Sequence, residues 1–369
     1  MPDSTDVFVI GGGPAGLAAA IAARQQGLSV VVADGAKPPI DKACGEALLP
    51  DAIEALERLG VSVPVADSYP LSGVRFHSSH LSAEAGFPRG CHGLSVRRTA
   101  LHRIMAERAA GLGVDLLWQS VVTGISTEEV QVGNRSIRSR WIVGADGVNS
   151  RVRRWAGLDA HSRTGLRYSF RRHYRVAPWT DQLEIYWGEH SQAYTTAVSD
   201  EQVCVAVASR NPALRLGESL AAFPALNARL RGAETTSTER GSVSANRKLK
   251  RVWRKNVALI GDASGTVDAI SGEGLGLSFR QAVVLAKCLK SGSLAGYHVA
   301  HRRLALRPSL MARLMLTLDG RPRFQRRALQ VFRRHPEVFC GFLALHVGSA
   351  SPFHLALDGI TLGWGLLIA

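Results

Sequence analysis

A short apolar run, Val7-Phe8-Val9-Ile10, leads directly into Gly11-Gly12-Gly13-Pro14-Ala15-Gly16, and this junction constrains the chain more than any other feature. A wholly apolar tetrapeptide predicts a parallel strand buried on both faces. The glycines satisfy G-x-G-x-x-G. An alanine-rich stretch with Leu17 and Ile21 then predicts a helix ending near Gly27, and Val30-Val31-Val32-Ala33 predicts a second strand closed by Asp34. Gly11 permits a tight turn, Gly13 lets the backbone approach a pyrophosphate, and Gly16 lets helix and strand pack closely, with Ala15 beside them. The helix N-terminus directs free N–H groups and a positive dipole at the diphosphate. Asp34, 18 residues past Gly16, is placed to accept from ribose hydroxyls. The whole unit predicts dinucleotide binding.

Two later segments carry the same kind of strand-to-glycine junction. Residues 141–153 read Trp-Ile-Val-Gly-Ala-Asp-Gly-Val-Asn-Ser-Arg-Val-Arg. From Val257, the chain reads Val-Ala-Leu-Ile-Gly-Asp-Ala-Ser-Gly, then passes through Gly272-Glu273-Gly274-Leu275 into a predicted helix with Leu277, Val284, Leu285 and Leu289. Between the first two motifs, Leu94-Ser95-Val96-Arg97-Arg98-Thr99-Ala100-Leu101 opens another helix, and Val121-Val122-Thr123-Gly124 reads as a strand.

In this order the three motifs resemble those of the FAD-dependent oxidoreductases of the aromatic-hydroxylase (class A flavin monooxygenase) and geranylgeranyl-reductase superfamily. The resemblance implies an α/β fold: a Rossmann-like FAD-binding domain of the glutathione-reductase type, an inserted antiparallel β-sheet substrate domain, and C-terminal helices. The expected division is 1–70, 95–160 and 251–290 for FAD, 71–94 and 161–250 for the β-rich substrate domain, and 291–369 for the helical region. It further implies that Asp262 bonds the ribityl chain, that Gly272, Gly274 and Leu275 face the flavin ring, and that Arg98 reaches the phosphates. Val122 would pass the adenine by its backbone. Asp146 would support FAD, although an Asp-Gly turn in solvent is its local alternative. With only one dinucleotide fingerprint, NAD(P)H is expected as a transient reductant in a groove.

The segment Asp41-Lys42-Ala43-Cys44-Gly45-Glu46 resembles the geranylgeranyl-reductase branch, and also flavoproteins of bacterial polyketide and phenolic-lipid pathways. The prenyl reductases typically carry Cys-Gly-Gly here, so Glu46 is a departure. Two readings of each residue stay open. Glu46 is a proton donor or base, or a carboxylate at the start of the next helix. Cys44 faces the flavin, or is a small buried hydrophobe. Tyr186, Trp187 and Tyr194, on predicted strands, are candidate substrate-pocket residues, with core packing as the alternative. The expected activity is NAD(P)H-dependent hydroxylation of an aromatic, polyketide-like or phenolic-lipid substrate through a flavin C4a-hydroperoxide. Reduction of C=C bonds in a prenyl substrate is the alternative. The Trp-x-Trp-x-Ile-Pro element of flavin halogenases is not found.

Composition sharpens this. The net charge is +15, and 38 of the 45 basic residues are arginine. Ten arginines against three acids fall in residues 291–369, a net +7. No basic–aromatic module accompanies them, so nucleic-acid binding is not expected. A solvated basic lid and peripheral contact with anionic lipid both fit. The five cysteines are scattered without CxxC or metal-ligand spacing, which predicts no metal centre and a reducing cytoplasm. The opening MPDSTD lacks a basic segment, so no signal peptide is expected, and no apolar run reaches membrane-spanning length.

Overall fold

The computed structural model describes residues 2–78 and 80–350. The apolar run Leu362–Ala369 lies outside the described residues.

Five parallel strands form the heart of the first sheet, in the spatial order Val257–Leu259, Arg135–Gly144, Ser4–Ile10, Val30–Ala33, Asp115–Leu117. Val7, Phe8 and Val9 are fully buried and Val30–Ala33 nearly so, as expected of strands covered on both faces. Register decides what this sheet can do. Ile10 is opposite Ala33 on one side and Gly144 on the other, and Gly144 is opposite Leu259. Four strands therefore end in line, and the loops after them, all glycine- or aspartate-bearing, leave from the same edge. That edge is where open α/β sheets place ligands.

The helix Pro14–Gln25 owes its alanines to packing on several sides. It is covered by the sheet, by the helix Gly274–Lys290 and by the helix Arg98–Gly111, and Gly16–Ala23 are buried throughout. A small three-stranded sheet, Ala47–Leu48, Gly93–Val96 and Ser68–Leu71, lies beside this unit.

The second large sheet runs Glu234–Thr235, His161–Arg175, Gln202–Ser209, Ser191–Ser199, Gln182–Trp187, Gly73–Ser78, Leu81–Gly86, and Arg240–Leu249 also pairs with His161–Arg175. An antiparallel sheet was expected, and one pair departs from it. Gly73–Ser78 and Gln182–Trp187 run parallel, because a long excursion and not a hairpin separates them along the chain. Short helices Leu216–Ser219 and Pro224–Arg229 cover one face of this sheet, within the β-rich stretch 161–250.

The other face takes the C-terminal helices Ala295–Leu318, Pro322–Arg334 and Pro336–His346. Their apolar sides join the sheet in one cluster: Phe332 stacks on Phe339 at 4.6 Å between ring centroids, and Phe339 meets Phe76, which in turn meets Trp187. Arg321, Arg323, Arg326, Arg333 and Arg334 lie on the exposed side. Among the described residues, no helix is long and apolar enough to cross a membrane. Because Phe332 holds the helices to the sheet, Phe332→Ala should cost roughly 3–5 kcal/mol in a denaturant titration. A loss below about 1 kcal/mol would mean that the helices are attached by other contacts.

Candidate cofactor and substrate site

A cavity of about 770 Å³ runs from the aligned strand ends to the space between the second sheet and the C-terminal helices. At its first end the fingerprint is built by close backbone contacts. Gly11 has φ +108°, and a Cβ there would come within 2.5 Å of the Ala145 carbonyl. A Cβ on Gly16 would lie 1.8 Å from the Gly11 oxygen, so helix and strand meet as a glycine alone allows. At Gly13, Gly45, Gly272 and Gly274, by contrast, a Cβ would meet nothing within 4 Å, and all four residues line the cavity. These are positions where a ligand can approach the backbone closely.

The carboxylate of Asp34 accepts from the N–H groups of Gly12 (2.7 Å) and Ala36 (2.8 Å), so it ties the fingerprint loop as well as facing the cavity. Arg98 lines the cavity, and its Nε is buried without a hydrogen-bond partner, an orphan donor that an anionic phosphate would satisfy. His102, one helical turn on, lies 2.9 Å by Nε2 from the Gly12 carbonyl, and burial lowers its pKa. The sequence reading missed His102; its spacing of four from Arg98 was the available signal.

Asp146 accepts from the N–H groups of Arg151 (2.6 Å) and Val152 (3.1 Å), at the start of the helix Arg151–Trp155. Its Oδ1 is buried without a partner and the residue lines the cavity, so local turn chemistry and ligand exposure coexist there. Asp262 is paired with Lys42 at 2.9 Å, a lysine the sequence reading did not single out. Val122 and Ala15 also line the cavity, as does Leu275 at the first turn of the helix Gly274–Lys290. That helix presents its N-terminus, with free N–H groups, to the cavity.

Glu46 is held at both carboxylate oxygens. Its side chain is 1% exposed, and its backbone has φ +61°. Oε1 accepts from the Arg98 N–H at 3.0 Å, and Oε2 lies 2.7 Å from His173 Nε2. His173 Nδ1 faces two donors, Arg171 Nη1 at 3.2 Å and the Ser237 hydroxyl at 2.8 Å. Those partners assign the proton to Nε2, which donates to Glu46. Arg171 also pairs with Asp41 and stands 3.9 Å from Glu46. Glu46, His173 and Cys204 bring ligand-type atoms within 4.8 Å of one another, but the guanidinium already supplies the positive charge a cation would bring. Cys44 lines the cavity, and its sulfur accepts from the Glu46 N–H at 3.4 Å.

Of the three aromatic candidates, Trp187 and Tyr194 line the cavity, and the Tyr194 hydroxyl donates to Gln192 at 2.8 Å. Tyr186 does not, and that expectation is corrected. Strand alternation sends it to the opposite face with Glu184, to which its hydroxyl donates at 2.7 Å. Burial alone would raise the Glu184 carboxyl, yet donors from His77, Tyr186 and Trp179 hold it at about 2.

Beyond Cys44 the cavity wall turns apolar, with Phe76, Ile185, Met311, Phe339 and Phe342 among its residues. Glu273 and His346 are among the polar groups that interrupt it. Burial, and then the neighbouring Asp51 charge, push Glu273 up to about 7. Burial drops His346 to about 4, and His301, hydrogen-bonded to Ser264 at 2.8 Å, to about 4 as well.

These shifts set a pH profile. A histidine depressed from 6.5 to about 4 binds its proton more tightly in the unfolded chain. Its contribution is fully present above 6.5 and is lost as pH falls towards 4, roughly 3 kcal/mol for a buried imidazole. Glu273 acts oppositely, its contribution fading as pH rises from 4.5 to about 7. Denaturant titrations across this range should show stability falling on the acid side, and His301→Leu should flatten that fall. An unchanged acid limb in the variant would remove His301 from the account.

The sequence profile of the FAD binding domain family matches residues 4–292. The menaquinone reductase of Mycolicibacterium smegmatis is 27% identical over 354 residues, covering 88% of this chain and 87% of that protein. A digeranylgeranylglycerophospholipid reductase of Methanothermobacter thermautotrophicus is 26% identical, covering 82% and 81%. Among solved structures, a flavoprotein/dehydrogenase from Cytophaga hutchinsonii superimposes with a TM-score of 0.85 at 20% identity, over 99% of this chain and 98% of that one. With the glycine cradle, the orphan arginine donor and the cavity fitting the cofactor, the chain belongs to the FAD binding domain family and is an FAD-dependent oxidoreductase.

Proposed function

We propose that this protein reduces carbon–carbon double bonds in a lipophilic, prenyl-bearing substrate, drawing electrons from transiently bound NAD(P)H. The observation that carries this reading is the apolar wall beyond Cys44, where Phe76, Ile185, Trp187, Met311, Phe339 and Phe342 surround a space continuous with the cofactor end. Such a wall rewards hydrocarbon at about 25 cal/mol per Å² buried and offers few partners to polar groups. The relatives matched over most of their length are named menaquinone reductase and digeranylgeranylglycerophospholipid reductase, which supports a reductase acting on a lipophilic substrate.

The departure at Glu46 does not oppose it. A φ of +61° is one that glycine adopts freely, so the Cys44-Gly45-Glu46 backbone keeps a path suited to Cys-Gly-Gly. The carboxylate is taken up by Arg98 and His173.

In this reading Gly11, Gly13, Ala15 and Arg98 hold the diphosphate, Asp34 and Val122 the adenosine end, and Asp262 with Lys42 the ribityl chain. Asp146 supports the same cofactor, and Gly272, Gly274 and Leu275 face the ring. Bound FAD, once reduced, supplies a hydride equivalent. Cys44 borders the ring and the substrate, while Trp187 and Tyr194 shape the chamber. Residues 71–94 and 161–250 act as the substrate domain, and 1–70, 95–160 and 251–290 as the FAD-binding unit. Hydroxylation of an aromatic or phenolic-lipid substrate is the second reading, favoured by the aromatic pair Trp187 and Tyr194 at the chamber.

Anaerobically reduced enzyme should be reoxidised by a polyprenyl substrate with saturation of a double bond, and should incorporate no labelled oxygen in air. Inertness towards polyprenyl compounds, with oxygen incorporated into a phenol, would replace this reading by the second. Trp187→Ala should retain FAD but weaken a long-chain substrate by about 10- to 100-fold in KM, the loss of roughly 1.5–3 kcal/mol of burial.

A further inference from the structure

Glu273 stands where four helices meet. It precedes the helix Gly274–Lys290, which contributes Arg280; the helix Pro50–Arg58 contributes Asp51, Ala295–Leu318 contributes Arg307, and Pro336–His346 contributes His346. Asp51 takes the tightest contacts of both arginines, Arg280 and Arg307. Glu273 Oε1 is left with weaker ones, 3.4 Å from Arg307 and 3.9 Å from Arg280. Its other oxygen, Oε2, is buried without a hydrogen-bond partner, and 3.5 Å away lies His346 Nδ1, equally unpartnered. His346 hydrogen-bonds the Ser271 backbone carbonyl, which with Nδ1 unpartnered assigns its N–H to Nε2 and a lone pair to Nδ1, and a carboxylate oxygen facing that lone pair satisfies neither atom. A single proton between them satisfies both. Both residues line the cavity, and the side chain of Glu273 is 2% exposed.

We propose that Glu273 is the acid that protonates the substrate, holding its proton against His346 until transfer. The inference rests on the reductase reading above. As a hydride from the reduced flavin adds to one carbon of the double bond, the adjacent carbon takes the proton from Glu273 Oε2. The π pair forms the new C–H bond, and the O–H pair stays on the carboxylate. Arg280 and Arg307 stabilise the resulting anion, and solvent returns the proton when product leaves.

Two readouts separate this proposal from the reading beneath it. Infrared difference spectra of the holoprotein, taken on either side of pH 7, should show a protonated carboxyl band that disappears as pH rises and is absent from Glu273→Gln. Asp51→Asn should move that transition to lower pH, since it removes a like charge and frees both arginines for Glu273. A Glu273 ionised on both sides of pH 7 would show no such band, and its absence overturns the proposal. In stopped-flow experiments, Glu273→Gln with full FAD content should be reduced by NAD(P)H as wild type is. Its reoxidation by prenyl substrate should slow about 100-fold or more. Reoxidation at the wild-type rate overturns the proposal. Wild-type inertness towards prenyl substrates would instead overturn the reductase reading and the transfer step with it, while the titrating carboxyl would still be seen.

Discussion

The structure depends on one contact in which no side chain takes part. The helix Pro14–Gln25 comes so near the end of the first strand that a Cβ at Gly16 would overlap the Gly11 carbonyl. That approach lets the alanine-rich helix lie flat on the sheet. It also holds the turn open towards the cavity at Gly13 and fixes the depth at which Asp34 and Ala145 flank the turn. Every other element of the cofactor end is placed relative to that turn: His102 bonds its carbonyl, and Arg98 stands one helical turn away.

The cavity has two chemical halves, and the segment Cys44–Glu46 joins them. Its backbone borders the cofactor end, yet it is fastened to the second sheet: Thr196 donates to the Gly45 carbonyl at 2.8 Å, and His173 reaches Glu46. The C-terminal helices close the far half by aromatic packing; Arg307 turns inward to Asp51 and Glu273, while Arg321, Arg323, Arg326, Arg333 and Arg334 face outward.

Much of the first half was legible in the sequence because it is encoded locally. Strand, turn, helix and acid follow one another within 34 residues, and glycine spacing reports backbone contacts directly. The substrate half was legible only as a class of structure. Tyr186 and Trp187 are adjacent in sequence, and which of them faces the cavity depends on register and on a helical cover over one side of the sheet. The parallel entry of Gly73–Ser78 and the meeting of Asp51, Glu273, Arg280, Arg307 and His346 involve residues up to nearly three hundred positions apart. No local pattern announces such a meeting. Lys42 is an intermediate case, visible in a motif-bearing segment yet given meaning only by its partner Asp262.

Glu46 carries a consequence for how sequences of this kind vary. A left-handed backbone there excludes most side chains before any chemistry is considered. A carboxylate is tolerated because the Arg98 amide and the His173 imidazole wait for it, and each would be stranded if it left. Positions 46 and 173 are thus coupled in stability. Glycine at 46 in this chain would relieve the backbone but strand the His173 N–H, and removing His173 would strand the Glu46 carboxylate, so each single change costs more than its own contact.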